Sequence, residues 1–332
     1  MRPKITDVAK TAGVSTATVS HVLNGTKHLT DKTRKKVLDA ISELEYSPNL
    51  SARSFRVGKT YLIGFVVPDI LNSYFATLIE QIESILTLSG YNLLICNTKE
   101  SLSREINAIK SLSSGIVDGL VIASTANSYM EIGNYIPNDF PVVFIDRIIG
   151  DCPYDTVTIS SGRAVIEGVN YLIDKGHRNI GYIAGLRHLS TTKERLNAYK
   201  SALKSHSIEY DEHLVKYADS MYDSANHLVD DLVTNKCTAI FATNSIMTND
   251  VIWFLTTNGL CVGKDIEVVG FEDSPINRSI VGMIPVIAQP TIEMGIFAGE
   301  RILQMVENPL SKTRDSFLYS VFREKYQKIW SK

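Results

Sequence analysis

The residues whose types and spacing could do chemistry fall into two separate groups. Near the N-terminus, Thr16, Ala17, Ser20 and His21 recur at helical spacing, away from an apolar stripe of Val19, Val22 and Leu23. Short, uncharged side chains on one exposed helix face suit contacts to base edges in a DNA groove. The cations Lys32, Arg34, Lys35 and Lys36 stand apart from that face, as contacts to phosphates would. The second group is spread along the rest of the chain. Asp69-Ile70-Leu71-Asn72-Ser73-Tyr74-Phe75, Asp146-Arg147, Asn244-Ser245 and Glu272-Asp273 each follow an apolar run that reads as a buried strand. Open α/β sheets bind ligands at the carboxyl ends of their strands, so these side chains are candidates for holding a small polar molecule.

Covalent and metal chemistry find no support. There is no Gly-x-Gly-x-x-Gly after the first strand, no phosphate-cradling Gly-x4-Gly-Lys-Ser/Thr, no Gly-x-Ser-x-Gly and no His-Glu-x-x-His. The seven histidines do not cluster, and Cys96, Cys152, Cys237 and Cys261 lie far apart with no Cys-x-x-Cys pair, so they read as free thiols. No catalytic residue, metal or cofactor is expected.

The elements that must position these residues follow from caps and periodicity. Thr6 is placed to cap a first helix with Val8, Ala9 and Ala12 inside, and Gly13 allows a turn. Ser15 caps the second helix, which ends at Asn24-Gly25, and Thr30 caps a third with Val37, Ile41 and Leu44 inside. Three short helices of this kind make a helix-turn-helix. Ser47 and Pro48 then begin a helix of about two turns, too short to be stable alone in water. From Tyr61 onward, apolar strands alternate with amphipathic helices. Strands are expected at 61–67, 92–96, 119–123 and 142–145, then 179–184, 239–242 and 267–271, with a last one near 316–322. Helices are expected at 74–89, 101–113, 130–135, 161–175, 192–205, 221–233 and 245–258. Two similar halves imply two lobes around a cleft. Charge divides the chain at the same place: residues 1–60 hold 11 Lys/Arg against 5 Asp/Glu, and the remainder holds 23 against 31. A basic head on an acidic body fits a polyanion-binding module joined to one with another task.

The run Asp-Val-Ala…Gly-Val-Ser-x-x-Thr-Val-Ser-x-Val-Leu-Asn, followed by Tyr-Ser-Pro-Asn…Ala-Arg-Ser, resembles the lactose/galactose repressor (LacI/GalR) family. The likeness continues through Gly-His-Arg-Asn-Ile-Gly at 176–181, Val-Val-Gly-Phe at 268–271 and Gln289-Pro290, covering nearly the whole chain. It implies a helix-turn-helix domain at 1–46, a hinge helix and linker at 47–60, and a two-lobed α/β domain at 61–332, similar to periplasmic sugar-binding proteins. It further implies DNA contacts from Thr6, Ser15, Thr16, Ala17, Thr18, Ser20, His21, Asn24, Arg53 and Phe55. Thr16, Ala17 and His21 would read bases, a triplet similar to that of the family's purine repressors, and Phe55 stands where the family wedges a leucine into a base step. Effector contacts are implied at Asn72, Tyr74, Phe75, Asp146, Arg147, Thr191, Arg195, Asn244 and Glu272, with Arg195 as clamp and the two aromatics stacking on a ring. Ser245 and Glu272 depart from the aspartates usual in the family, and that difference favours an anionic sugar derivative.

The resemblance therefore predicts a homodimeric repressor on pseudo-palindromic double-stranded DNA, gated by a sugar, sugar acid or sugar phosphate ahead of a purine. The body alone would also suit a solute-binding receptor or a sugar-modifying α/β enzyme. Against the receptor, Met1-Arg2-Pro3-Lys4 leads into polar residues rather than an apolar export signal, so a cytoplasmic location is expected.

Overall fold

The computed structural model describes residues 3–24, 29–46, 58–219, 224–271, 284–308 and 315–324. The chain divides into two compact units, Met1–Thr60 and Tyr61–Lys332.

The first unit contains α1 (Ile5–Ala12), α2 (Thr16–Asn24) and α3 (Asp31–Glu43). Helix α1 begins before Thr6, which is an exposed residue of its first turn and not its cap. The Asp7 carboxylate takes that role by accepting from the Lys4 amide at 2.8 Å, as an acid in the first turn can. Gly13 ends α1 at φ +64°, where a side chain would be strained, and the Val14 amide returns to the Ala9 carbonyl at 2.9 Å. Ser15 and Thr30 cap as expected, their hydroxyl oxygens accepting from the Thr18 and Thr33 amides at 3.2 and 3.3 Å. Val8, Ala9, Ala12, Val19, Val37 and Ala40 form the buried centre.

The second unit holds two six-stranded sheets. In the first lobe, β1 (Leu62–Val67), β2 (Asn92–Asn97), β3 (Gly119–Ile122), β4 (Val142–Asp146), β5 (Asp155–Ser160) and β11 (Ser316–Tyr319) lie parallel in the order β11-β5-β4-β3-β1-β2. The second lobe contains β6 (Ile180–Ala184), β7 (Val215–Tyr217), β8 (Ala239–Ala242), β9 (Glu267–Phe271), β10 (Val286–Ala288) and β12 (Val321–Arg323), in the order β12-β10-β9-β8-β6-β7. Only β12 is antiparallel to its neighbour in that sheet.

Helices cover both faces of each sheet, which is why the strands are nearly continuous apolar runs. Along β1, Ile63, Phe65 and Val67 pack toward α4 (Ser73–Leu88) and the long α10 (Thr291–Glu307), while Val66 turns to the opposite core with α5 (Leu102–Ser113). Helices α6 (Gly162–Asp174) and α7 (Ser190–Ser205) pack on one face of the second sheet, and α8 (Asn226–Thr234) and α9 (Ser245–Thr257) on the other. Gly295 lets α10 lie close on α4, because a Cβ there would come within 2.6 Å of the Gln81 Cβ.

The chain passes between lobes at 160–162, 288–291 and 319–321. Ser161 and Ser320 tie two of these crossings together through their hydroxyls at 2.9 Å. The single strand expected near 316–322 is thus two strands in different sheets. Helix α10 and strands β5, β7 and β10 were not anticipated, and the helix expected at 130–135 is a pair of 3-10 turns at Tyr129–Glu131 and Gly133–Tyr135. The helix expected from Met221 begins at Asn226 among the described residues. No helix among the described residues is long and apolar enough to cross a membrane.

Candidate functional site

The topology brings strand-exit loops from both lobes to one cleft. Asn72, Tyr74 and Phe75 follow β1, Glu100 follows β2, and Asp146 ends β4 with Arg147 just after it. From the other lobe come Thr191, Thr192 and Arg195 on α7 after β6, Thr243, Asn244 and Ser245 after β8, and Gln289 after β10. The rule that ligands bind at carboxyl strand ends accounts for this convergence. Eight of the nine sequence-predicted effector residues line the cleft together. The ninth, Glu272, lies outside the described residues.

Asn72 has two tasks. It caps α4, its Oδ1 accepting from the Tyr74 amide at 3.0 Å, and the same oxygen accepts from the Ser245 hydroxyl at 3.1 Å across the cleft. A serine can donate that bond and an ionised aspartate cannot, so the departure at 245 has a structural consequence. A second bridge joins the lobes where the Ile148 amide donates to Ser190 Oγ at 2.9 Å. Tyr74 and Phe75 are buried and pack edge to face at 5.1 Å, with the Tyr74 hydroxyl donating to Asp146 Oδ1 at 2.9 Å. Asp146 stands at φ +69°, in the left-handed region where non-glycine residues are uncommon and cluster at functional positions.

The two arginines differ. Arg147 is held by Glu100, which accepts from Nη1 at 2.8 Å and from Nη2 at 2.5 Å, and Nη1 also donates to the Ser124 carbonyl at 3.1 Å. Burial disfavours its charge, but the carboxylates around it, Glu100 foremost with Asp146 and Glu105, together outweigh that and hold the guanidinium above its ordinary range. Arg195 lies with its Cζ 4.0 Å from the centre of the Phe271 ring and donates Nη1 to the Thr243 carbonyl at 2.7 Å. Its Nε is buried with no hydrogen-bond partner among the described residues, an arrangement that a bound acceptor would complete.

Behind Arg147 lies Glu105, fully buried, accepting from the Ser124 hydroxyl at 2.5 Å and the Thr125 amide at 2.7 Å. Desolvation pushes its carboxyl above the usual range, although both hydrogen bonds pull the other way. A carboxyl with a raised folded pKa binds its proton more tightly folded than unfolded. It therefore adds stability at low pH that is lost as pH rises through the raised value. Glu105→Gln is expected to flatten that part of the urea-midpoint profile between about pH 4 and 8; an unchanged slope would show that Glu105 does not set it.

In the head, Thr6, Ser15, Thr16 and Ala17 are exposed, and Thr18, Ser20 and His21 are half-buried on α2. Thr18 Oγ1 lies 2.9 Å from Ser15 Oγ. Arg53, Phe55 and the side chain of Asn24 lie outside the described residues. Sequence reasoning missed Glu100, Thr192, Thr243 and Gln289 as lining residues; the strand-exit rule would have found Glu100 three residues beyond β2. Among the described residues, no group of three or more His, Cys, Asp or Glu could hold a metal ion.

Comparison with known proteins agrees with this architecture. Residues 4–49 match the model of bacterial regulatory proteins of the lacI family, and residues 60–324 match that of periplasmic binding proteins and the sugar binding domain of the LacI family. The chain is 32% identical over 301 residues to catabolite control protein A of Priestia megaterium, covering 90% of this chain and 91% of the relative. It is 32% identical over 309 residues to the transcriptional repressor PurR of Mannheimia succiniciproducens, covering 91% and 90%. A crystal structure of the lac repressor bound to ONPG in the repressed state superposes with a TM-score of 0.81 at 25% identity, covering 98% of this chain and 99% of that one. With both of its segments matched and relatives aligned over nine-tenths of its length, the chain belongs to the LacI family of bacterial regulatory proteins and is a transcriptional regulator.

Proposed function

We propose that the protein is a repressor that reads a pseudo-palindromic DNA site as a homodimer, and whose affinity for that site is set by a sugar or sugar derivative bound in the cleft. The observation that carries this reading is the convergence of eight expected contact residues on one cleft, in a chain whose head keeps Thr16 and Ala17 exposed on α2. Residues 47–60 would join the two functions, and closure of the lobes on a ligand would bias the DNA-competent state. Pairing is favoured by the apolar side chains the first lobe leaves in solvent, Leu94 and Ile95 on edge strand β2 and Ile70 and Leu71 after β1. A cytoplasmic, non-enzymatic role follows from binding DNA.

The test is titration of a fluorescent duplex bearing a symmetric operator of the purine-repressor type with the wild type and with His21→Ala. Loss of one base contact is expected to weaken binding about 5- to 150-fold on the cognate duplex and hardly at all on a scrambled one. Sugar binding by the variant should match the wild type. Equal weakening on both duplexes would remove His21 from base reading.

A further inference from the structure

We propose, on the reading of the cleft as the effector site, that Glu100 is its charge-selectivity residue: by holding Arg147 it closes the cleft to anions and leaves it matched to an uncharged, polyhydroxylated ligand. Ser245 and Glu272 point the sequence toward an anionic ligand, and Glu100 is the residue that reverses that reading.

Both Nη nitrogens of the Arg147 guanidinium are engaged. They meet the two Glu100 oxygens at 2.8 and 2.5 Å in a fork, while Nε makes no hydrogen bond among the described residues and lies 3.4 Å from Asp146 Oδ2 as an ion pair. The pair is shielded, with the two side chains 7% and 10% exposed. Glu100 is itself held in place, accepting from the Thr125 hydroxyl at 3.3 Å, and its backbone stands at φ +54° after Lys99 at +51°. A loop of two consecutive non-glycine residues in the left-handed region places this carboxylate against Arg147 at a cost in local strain.

An anion seeking Arg147 would have to displace Glu100 and leave its carboxylate buried without its cation, an arrangement that is strongly disfavoured. Arg195 is the other guanidinium of the described lining, and it shares the cleft with the Glu100 and Asp146 carboxylates. The charges of these four groups balance, so an added negative charge gains little. A hydroxyl group, by contrast, can accept from Arg195 Nε and donate to Asp146, and the neighbouring Asn244, Thr191 and Gln289 offer only uncharged donors and acceptors.

The experiment follows the thermal transition of the purified full-length chain at constant ionic strength with three anionic probes, inorganic phosphate, gluconate and glucose 6-phosphate, each balanced against chloride. The wild type is expected to show no saturable stabilisation by any of them. Glu100→Gln frees Arg147 and is expected to gain saturable phosphate-dependent stabilisation, at least about tenfold tighter than the wild type. Adding Arg147→Gln to that variant should abolish the gain. Saturable stabilisation of the wild type that is lost in Arg147→Gln would overturn the proposal, as would a folded Glu100→Gln that gains nothing. Should Glu100→Gln not fold, Glu100→Ser tests the same release, and the wild-type titration decides by itself. No DNA is present, so a failure of operator binding would count against the regulator reading and leave the role of Glu100 standing.

Discussion

An Arg195→Ala protein is expected to bind its DNA site with unchanged affinity and to lose its response to the sugar that moves the wild type. Arg195 is 9% exposed, stacks over Phe271, donates to the Thr243 carbonyl and keeps its Nε unpartnered among the described residues. A hydrogen bond from a charged donor contributes about 1.5–3 kcal/mol, so losing one such contact to the ligand weakens binding about 10- to 150-fold. Arg195→Lys keeps the charge but loses both the planar fork and the stack, and little recovery is expected. Calorimetry with the sugar and operator titration without it separate the two effects. Full sugar binding by Arg195→Ala would remove this residue from the site.

The second large effect is expected in the head, where Val19→Asp should abolish DNA binding and spare the rest of the protein. Val19 is fully buried between α1 and α3, among Val8, Ala9, Ala12, Val37 and Ala40. A unit of 60 residues rarely holds more than about 3–5 kcal/mol of stability. An unpaired carboxylate in an apolar core costs at least that much, so the head unfolds. Residues 61–332 have their own four cores, and their main melting transition is expected to stay within a few degrees of the wild type. A variant that still bound its operator would show that the α2 face does not depend on this core.

The head was readable because its signals are local. Ser15, Gly13 and Thr30 each act within four residues, and caps and turns depend on that range alone. Thr6 was misread because a hydroxyl and the nearby Asp7 carboxylate compete for the same terminus, and the acid prevails. In the second unit the strands with long apolar runs were legible, whereas β5 (Asp-Thr-Val-Thr-Ile-Ser) alternates apolar and polar residues and gave a weaker signal. Helix α10 escaped because Gly295 and Gly299 interrupt its apolar stripe of Met294, Ala298 and Ile302. Those interruptions make sense only beside α4, a contact between segments some 200 residues apart in the chain. The division of 316–322 at Ser320 depends on two sheets that meet only in three dimensions. Much of the cleft was anticipated because strand exits converge whatever the fine packing. Glu100 stands at such an exit, three residues beyond β2, but its role was not legible, because that role comes from its partner Arg147 and not from its own neighbours in sequence.

The most direct measurement is a selection of binding sites from random duplexes by the full-length protein, at two salt concentrations, with and without a panel of uncharged sugars. Salt must be varied because phosphate contacts dominate the affinity of any basic head. The expected result is one enriched pseudo-palindrome whose binding weakens as salt rises and is shifted by at least one sugar. Recovery of no common sequence at either salt, with or without sugars, would contradict the assignment of α2 as a reader of DNA sequence and of the cleft as its control.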